Sequence, residues 1–150
     1  ILNNKSDFNE NTDLLLYMAA RSENIDIIKN SYKKKVIIID RFTDSTIAYQ
    51  HYGVGVSINL IKTLNKYLLK NIKVDFTFLN IVNKKNLYER LKKRKSLNRY
   101  DRFNMNFYNK VQNGFIKLSK LKKNKYKLIN SNLDIKNNEK LILNIIDKLI

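Results

Sequence analysis

An acidic and a basic residue stand side by side at Asp40-Arg41, directly after the β-branched run Val36–Ile39. Successive side chains of a strand point to opposite faces, so the two charges are expected to serve different partners. A guanidinium matches a phosphate group bidentately, and a carboxylate suits Mg²⁺ or the waters around it. The pair therefore has two interpretations: a phosphate and metal site, or two side chains that cap neighbouring loops.

A second pair, Tyr17 and Arg21, lies four residues apart in the segment DLLLYMAAR, so both side chains share one face of a helix. An aromatic ring beside a guanidinium can stack on a nucleobase while the arginine donates to an exocyclic oxygen. The alternative is structural, with Tyr17 in the core and Arg21 paired with an acid such as Asp26.

The elements that must position these residues alternate between helix and strand. Periodicity and cap signals predict helices over residues 12–31, 43–51, 57–70, 84–94, 102–121 and 137–149. Apolar, β-branched runs predict buried strands at 36–40, 74–82 and 125–131. Strands separated by helices indicate βαβ units and a parallel sheet, and ligands bind such sheets beyond the carboxyl ends of their strands. Asp40-Arg41 lies at such an end.

Composition narrows the class of protein. The 150 residues suit one domain, the absence of Cys excludes disulfides and thiolate metal sites, and the single His excludes multi-histidine metal sites. No apolar run approaches the ~20 residues of a membrane span and the first residues do not resemble a signal peptide, so a cytoplasmic location is expected. The net charge of +17 indicates either a polyanionic, phosphate-rich partner or a compositional bias toward Lys, Asn and Ile.

Several stretches resemble thymidylate kinases. IIDRFTDSTIAYQ resembles the D-R-[YFH]-x-x-S-x-x-A-Y-Q signature of that family, and DLLLYMAAR is similar to its E-L-L-L-F-x-A-A-R helix. VDFTFLNI, ERLKKRKSLNRYDRFNMNFYNKVQNGF and LINSN are similar to a strand, to the basic lid with the helix after it, and to a C-terminal strand of the family. The resemblance covers almost the whole chain. It implies an α/β fold of the P-loop kinase type, with three layers in which helices cover both faces of a parallel sheet.

The resemblance also implies a function. The protein would be a dTMP kinase that transfers the γ-phosphoryl group of ATP to dTMP, with Mg²⁺ as cofactor. Its partners would be dTMP and ATP, with no nucleic acid and no membrane, and it would be a homodimer when full length.

Carried onto this sequence, the family pattern implies a role for each matching residue. Tyr17 would stack on thymine and Arg21 would hydrogen-bond the base. Arg41 would bind the phosphate of dTMP and clamp the transferring group, while Asp40 would act on Mg²⁺ through water. The thymine and sugar pocket would be lined by Ser45, Thr46, Tyr49 and Gln50. The catalytic lid arginines would be Arg94 and Arg99, in a basic lid at about 90–102.

One part of the family pattern has no counterpart in this sequence. None of its three glycines, Gly53, Gly55 and Gly114, opens a G-x-x-x-x-G-K-[ST] phosphate loop. By family analogy the sheet order is 2-3-1-4-5 and the first two strands are lacking, so the strands at 36–40 and 74–82 are each expected to lose a neighbour and to expose apolar backbone. Residues 1–150 are therefore expected to be the C-terminal part, about three-quarters, of a single kinase domain that is inactive without the missing loop.

Three alternatives stay open. Another nucleoside or nucleotide kinase would share an arginine after an acid at a strand end but lack the S-x-x-A-Y-Q continuation. A basic nucleic-acid-binding module would interleave exposed aromatic and basic side chains, whereas most aromatics here fall on apolar periodic positions. The third is a degenerate fragment with no function of its own.

Overall fold

The computed structural model describes residues 8–31, 34–95, 98 and 100–150. Contacts divide the chain into two compact units. The first consists of the chain up to Val74 together with Asn98–Leu118, and the second consists of Asp75–Leu97 together with Ser119–Ile150. The single domain expected over the whole chain stays a prediction.

The helices predicted from the sequence are confirmed, with ends that shift by at most three residues. In chain order the elements are α1 (Glu10–Ser31), α2 (Thr43–Thr46), a π-helical segment (Ile47–Gly53), α3 (Ile58–Leu69), β1 (Thr77–Ile81), α4 (Lys84–Lys92), a 3₁₀ turn (Tyr100–Arg102), α5 (Met105–Leu121), a second 3₁₀ turn (Lys123–Lys125), β2 (Tyr126–Asn130) and α6 (Ile135–Ile146). No helix in the part of the chain that the structure describes is long and apolar enough to cross a membrane.

Helix α1 begins at a side-chain cap. Oδ1 of Asn9 accepts the backbone N–H of Thr12 at 2.8 Å, which satisfies one of the free donors of the first turn. Glu10 and Asp13 also lie in that turn, where the partial positive charge of the helix N-terminus stabilises carboxylates. Asp13 is buried in this turn, whereas Glu10 is exposed.

Two apolar clusters form the core of the first unit. One joins α1 to α3 and the segment before it, through Leu14, Met18, Val56 and Ile61. The other consists of Ala48, Tyr100, Phe107 and Val111, with Tyr17 and Tyr49 among the half-buried side chains packed against it. Each fully buried aliphatic side chain contributes about 1.5–3 kcal/mol to folding. The second cluster packs α1 and the π-helical segment against α5.

The second unit contains a parallel strand pair. β1 and β2 pair in register from Thr77 opposite Tyr126 to Ile81 opposite Asn130, and Leu79 and Ile129 are buried. Parallel pairing of strands separated by helices agrees with the predicted α/β class. Side-chain caps begin the helices that follow the two strands, Asn83 for α4 and Asp134 for α6.

The buried strand predicted at 36–40 is wrong. Residues 36–39 belong to no strand, and the side chains of Val36, Ile38 and Ile39 are 64%, 83% and 41% exposed. A strand needs a hydrogen-bonded neighbour, and the two strands of the described chain pair with each other. The apolar run has the composition of a strand but no neighbouring strand to form hydrogen bonds with. This agrees with the expectation that apolar backbone is exposed here.

Candidate functional site

Three oxygen acceptors surround the guanidinium of Arg21. Nη1 donates to Oδ1 of Asn65 at 3.0 Å, and Nη2 donates to Oγ1 of Thr46 at 2.7 Å and to the carbonyl of Phe42 at 3.1 Å. The guanidinium carbon also lies 5.4 Å from the centroid of the Phe42 ring. Burial lowers the pKa of Arg21, because loss of water penalises its charged form.

The structural alternative is contradicted in one part, the pairing of Arg21 with an acid such as Asp26. Asp26 pairs with Lys29 at 3.0 Å, whereas the hydrogen bonds of Arg21 in the described part of the chain all go to neutral groups. Its positive charge therefore has no carboxylate partner among the described residues. Tyr17, one helical turn earlier, packs against the aromatic cluster but stays half-buried. An aromatic face beside an unneutralised guanidinium suits a flat ligand with an electron-rich oxygen.

Arg41 is held in an uncommon backbone conformation. Its φ of 60° lies in the left-handed region, which costs a non-glycine residue about 1 kcal/mol or more. Its guanidinium carbon lies 5.2 Å from the centroid of the Tyr49 ring. Partial desolvation alone would lower the pKa of Arg41, but Tyr49 and the Asp40 carboxylate outweigh it and raise the pKa above its usual value. The side chain stays charged and partly exposed, as an anion-binding group must.

Asp40 and Arg41 interact electrostatically without forming an ion pair, although the strand alternation from which this was predicted is absent. The ion pair found among the described residues is that of Lys29 with Asp26. No group of three or more acidic, His or Cys side chains in the described chain could enclose a metal ion. A single exposed carboxylate does fit Mg²⁺, which usually keeps several waters and is held by one or two carboxylates together with substrate phosphates.

The hydroxyl-rich segment after Arg41 folds as α2 and the π-helical segment. Its side chains contact two different arginines. Thr46 reaches Arg21, and Tyr49 reaches Arg41. Ser45 is half-buried, and its backbone N–H donates to the Phe42 carbonyl at 3.2 Å. π-helical turns are rare and concentrate at functional sites, so this local geometry supports a binding role.

Of the two predicted lid arginines, one lies among the described residues. Arg94 follows α4 in the second unit and is exposed, and its backbone N–H donates to the carbonyl of Leu91 at 3.2 Å. Arg99 lies outside the described residues, as do positions 96 and 97 of the predicted lid.

The sequence reasoning missed a buried hydrogen-bond chain behind the predicted pocket residues. The Tyr100 hydroxyl donates to Oδ2 of Asp13 at 2.6 Å, and Nε2 of Gln50 donates to the Tyr100 hydroxyl oxygen at 2.8 Å. The three residues are only 8%, 4% and 2% exposed, in the order Tyr100, Asp13, Gln50. The sequence contains a signal for two of the buried polar residues around the site. Asp13 is an acid in the first turn of an apolar helix, and Asn65, which accepts from Arg21, is a polar residue on the apolar face of α3.

The phenol of Tyr100 gives a pH-dependent prediction. Burial raises the pKa of Tyr100, and its hydrogen bond to Asp13 raises it further. Folding thus favours the protonated phenol. The resulting contribution to the free energy of unfolding is complete below the ordinary tyrosine pKa of about 10 and is lost as the pH rises above it. Above about pH 10, the wild-type chain should lose stability more steeply than Tyr100→Phe, by about 1.4 kcal/mol per pH unit.

Urea unfolding followed by circular dichroism at several pH values between about 9 and 11 measures this difference. Tyr67→Phe is the matched control, because Tyr67 is 72% exposed and should leave the slope unchanged. Equal slopes in the wild type and in Tyr100→Phe would contradict a raised pKa.

Known proteins resemble this chain over most of its length. The family model described as thymidylate kinase matches residues 1–142. A thymidylate kinase of Trichodesmium erythraeum is 39% identical over 113 residues, which are 74% of this chain and 50% of that protein. One of Wolbachia pipientis subsp. Culex pipiens is 36% identical over 146 residues, which are 95% of this chain and 68% of that protein.

A solved structure agrees. The crystal structure of thymidylate kinase from Ehrlichia chaffeensis matches with a TM-score of 0.71 and 31% identity, over 97% of this chain and 68% of that one. This likeness confirms the α/β kinase fold predicted from the sequence. The chain spans only part of its relatives, half of the Trichodesmium protein and 62% of a thymidylate kinase of Thermosipho africanus.

Proposed function

This chain belongs to the thymidylate kinase family, and from that premise we propose that it acts in the transfer of the γ-phosphoryl group of ATP to dTMP. The observation that carries the proposal is the guanidinium of Arg21, which is oriented by four neutral acceptors, three oxygens and the Met18 sulfur, and lacks a carboxylate partner among the described residues. Such a group would recognise a carbonyl oxygen of thymine, and Tyr17 on the same face of α1 would stack on the ring. Ser45, Thr46, Tyr49 and Gln50 would line the base and sugar pocket.

Arg41 is the proposed phosphate ligand. Its raised pKa keeps it charged, and its contact with Tyr49 directs an otherwise flexible side chain. Asp40 would hold Mg²⁺ through water, and the metal would supply neutralisation of phosphate charge. Arg94 and Arg99 would act on the phosphates of ATP. A homodimer and a cytoplasmic location complete the proposal, and size-exclusion chromatography tests the first of these.

Ligand binding is the appropriate test, because this sequence contains no G-x-x-x-x-G-K-[ST] motif. A turnover assay would not separate recognition of dTMP from binding of ATP. Isothermal titration calorimetry of the folded chain with dTMP, thymidine and dAMP should show binding of dTMP, weaker binding of thymidine and no measurable binding of dAMP. A folded chain that binds dTMP no better than dAMP would refute the proposal.

Replacing Arg41 with alanine should remove the preference for the phosphorylated ligand. A charge-assisted hydrogen bond is worth about 1.5–3 kcal/mol, so the ratio of the Kd for thymidine to the Kd for dTMP should fall at least about tenfold. Lys62→Ala, at an exposed position of α3, makes the same change in net charge and should keep the ratio. An unchanged ratio in Arg41→Ala would exclude Arg41 as the phosphate ligand.

A further inference from the structure

We propose that a tract of lysines around the start of β2 binds the phosphate backbone of a nucleic-acid duplex without regard to its sequence. This lysine tract consists of Lys120, Lys122, Lys123, Lys125 and Lys127. The inference goes beyond the proposed function and does not depend on it. The expectation of no nucleic-acid partner came from the family resemblance, and the stretches that carry the resemblance do not include these lysines.

The density of positive charge in the lysine tract is higher than the composition of the chain explains. Lys and Arg occupy 30 of the 150 positions, or one in five, whereas the tract has five lysines in eight positions. No acidic residue occurs between Asp101 and Asp134, so the tract contains no carboxylate of its own. The basic run of α4, in contrast, includes Glu89. A general bias toward lysine therefore does not account for this tract.

Regular backbone structure holds the lysines at the surface. Lys120 lies in the last turn of α5, the second 3₁₀ turn follows, and Lys127 belongs to β2. The backbone N–H of Lys125 donates to the carbonyl of Lys122 at 2.9 Å, which closes the 3₁₀ turn. All five lysines are exposed, and the ion pair found in the described part of the chain does not involve them. Their charge is therefore available to an external anion.

The position of the lysine tract separates it from the candidate site. The tract belongs to the second unit, whereas Tyr17, Arg21 and Arg41 belong to the first. It also leads into β2, which runs parallel to β1, so it lies toward the amino-terminal ends of the strand pair. Substrates bind sheets of this kind beyond the carboxyl ends of the strands. The tract is therefore not placed to hold dTMP or ATP, and its charge suits a different anion.

The other side chains between positions 120 and 127 indicate which polyanion fits. Single-stranded nucleic acid stacks its bases on aromatic side chains, but the aromatic residue of this range, Tyr126, is only 9% exposed. A membrane surface is bound through a broad apolar face beside the charges, but the exposed apolar residue of this range is a single leucine, Leu121. Lysine contacts phosphates as a point charge and carries no sequence information when it does so. A duplex, whose phosphates are outside and whose bases are stacked inside, therefore fits best.

Fluorescence anisotropy with a short labelled DNA duplex of mixed sequence, measured at several salt concentrations, tests the proposal. Each phosphate that a lysine neutralises contributes about 0.9 to the slope of log K against log salt concentration. Replacing all five lysines of the tract with glutamine should lower this slope by about 4 and raise the Kd at low salt at least about tenfold.

A matched control removes the same net charge from exposed positions elsewhere. It replaces five other lysines with glutamine, namely Lys62, Lys66, Lys73, Lys136 and Lys148. The control variant should lower the slope by at most about 1, because these lysines are not grouped in one tract. A smaller variant, with Lys122, Lys123 and Lys125 replaced, should lower the slope by about half as much as the full tract variant. Circular dichroism verifies that each variant is folded.

The outcomes distinguish a specific surface from general charge. Equal losses in the tract variant and in the control variant would overturn the proposal, as would a wild-type chain that does not bind the duplex at low salt. Tighter binding to single-stranded DNA of the same length, or to phosphatidylglycerol vesicles, would also overturn it. The proposed function is tested separately, since the tract variant should bind dTMP as the wild type does. A wild-type chain that binds the duplex through the tract but does not bind dTMP would refute the proposed function alone.

Discussion

Replacing Arg21 with leucine is expected to weaken dTMP binding about a hundredfold, the effect of losing a charge-assisted hydrogen bond in a partly desolvated site. The guanidinium is already oriented by Asn65, Thr46 and the Phe42 carbonyl, so the wild type spends little conformational entropy when a ligand oxygen arrives. Arg21→Lys should recover only part of the affinity, because an ammonium cannot serve several acceptors in a planar fork.

The same substitution bears on stability, and the two effects must be separated. Leucine leaves the Asn65, Thr46 and Phe42 oxygens without their shared donor, at a cost of about 1–3 kcal/mol in the free energy of unfolding. Calorimetry is therefore paired with urea unfolding, so that affinity is compared only under conditions where the variant is folded. Lys66→Leu, at an exposed position of α3, removes the same charge and should bind dTMP normally. Full affinity in folded Arg21→Leu would rule out Arg21 as a base ligand.

Gly114→Ala is expected to destabilise the chain by about 2 kcal/mol. A Cβ at this position of α5 would lie 2.5 Å from Cδ2 and 2.9 Å from Cβ of Tyr52. The new methyl group also meets the Cβ of Tyr52, and rotation of the Tyr52 ring does not move that atom. α5 and the π-helical segment must therefore move apart, which costs about 3 kcal/mol. Alanine regains only about 1 kcal/mol through its higher helix propensity. The clash therefore outweighs the propensity gain.

Urea unfolding of Gly114→Ala and of Asn113→Ala measures these opposing effects. Position 113 is the exposed neighbour on the same helix, where alanine meets no packed side chain and should hold or raise stability. If Gly114→Ala proved as stable as the wild type, the close approach of α5 to Tyr52 would be disproved.

The parts of the site that short-range spacing determines could be predicted from the sequence. Tyr17 and Arg21 share a face because they are four residues apart on a helix, and Thr46 was placed near them by its motif. The supporting contacts could not be predicted in this way. Asn65 meets Arg21 across 44 positions and Tyr100 meets Asp13 across 87, and no local pattern encodes which polar side chains will be brought together over such distances.

The error at 36–40 has a different cause. Four β-branched aliphatics indicate a buried strand because their side chains pack well on a pleated surface. This signal says nothing about the backbone hydrogen bonds of the segment. Strand formation also requires backbone partners, and their presence depends on the rest of the sheet. The left-handed Arg41 and its contact with Tyr49 are local features that do not need that sheet, and the role predicted for Asp40-Arg41 stays a prediction.

The exposed segment Val36–Ile39 has a consequence for the behaviour of the chain in solution. Short, uncharged, β-branched runs without proline are the sequences that drive aggregation through intermolecular strand pairing. In this chain Lys33, Lys34 and Lys35 precede the run and Asp40-Arg41 follows it, so charge brackets the segment at both ends. These residues act as gatekeepers against self-association. Arg41 thus protects solubility at the position where it is also proposed to hold phosphate.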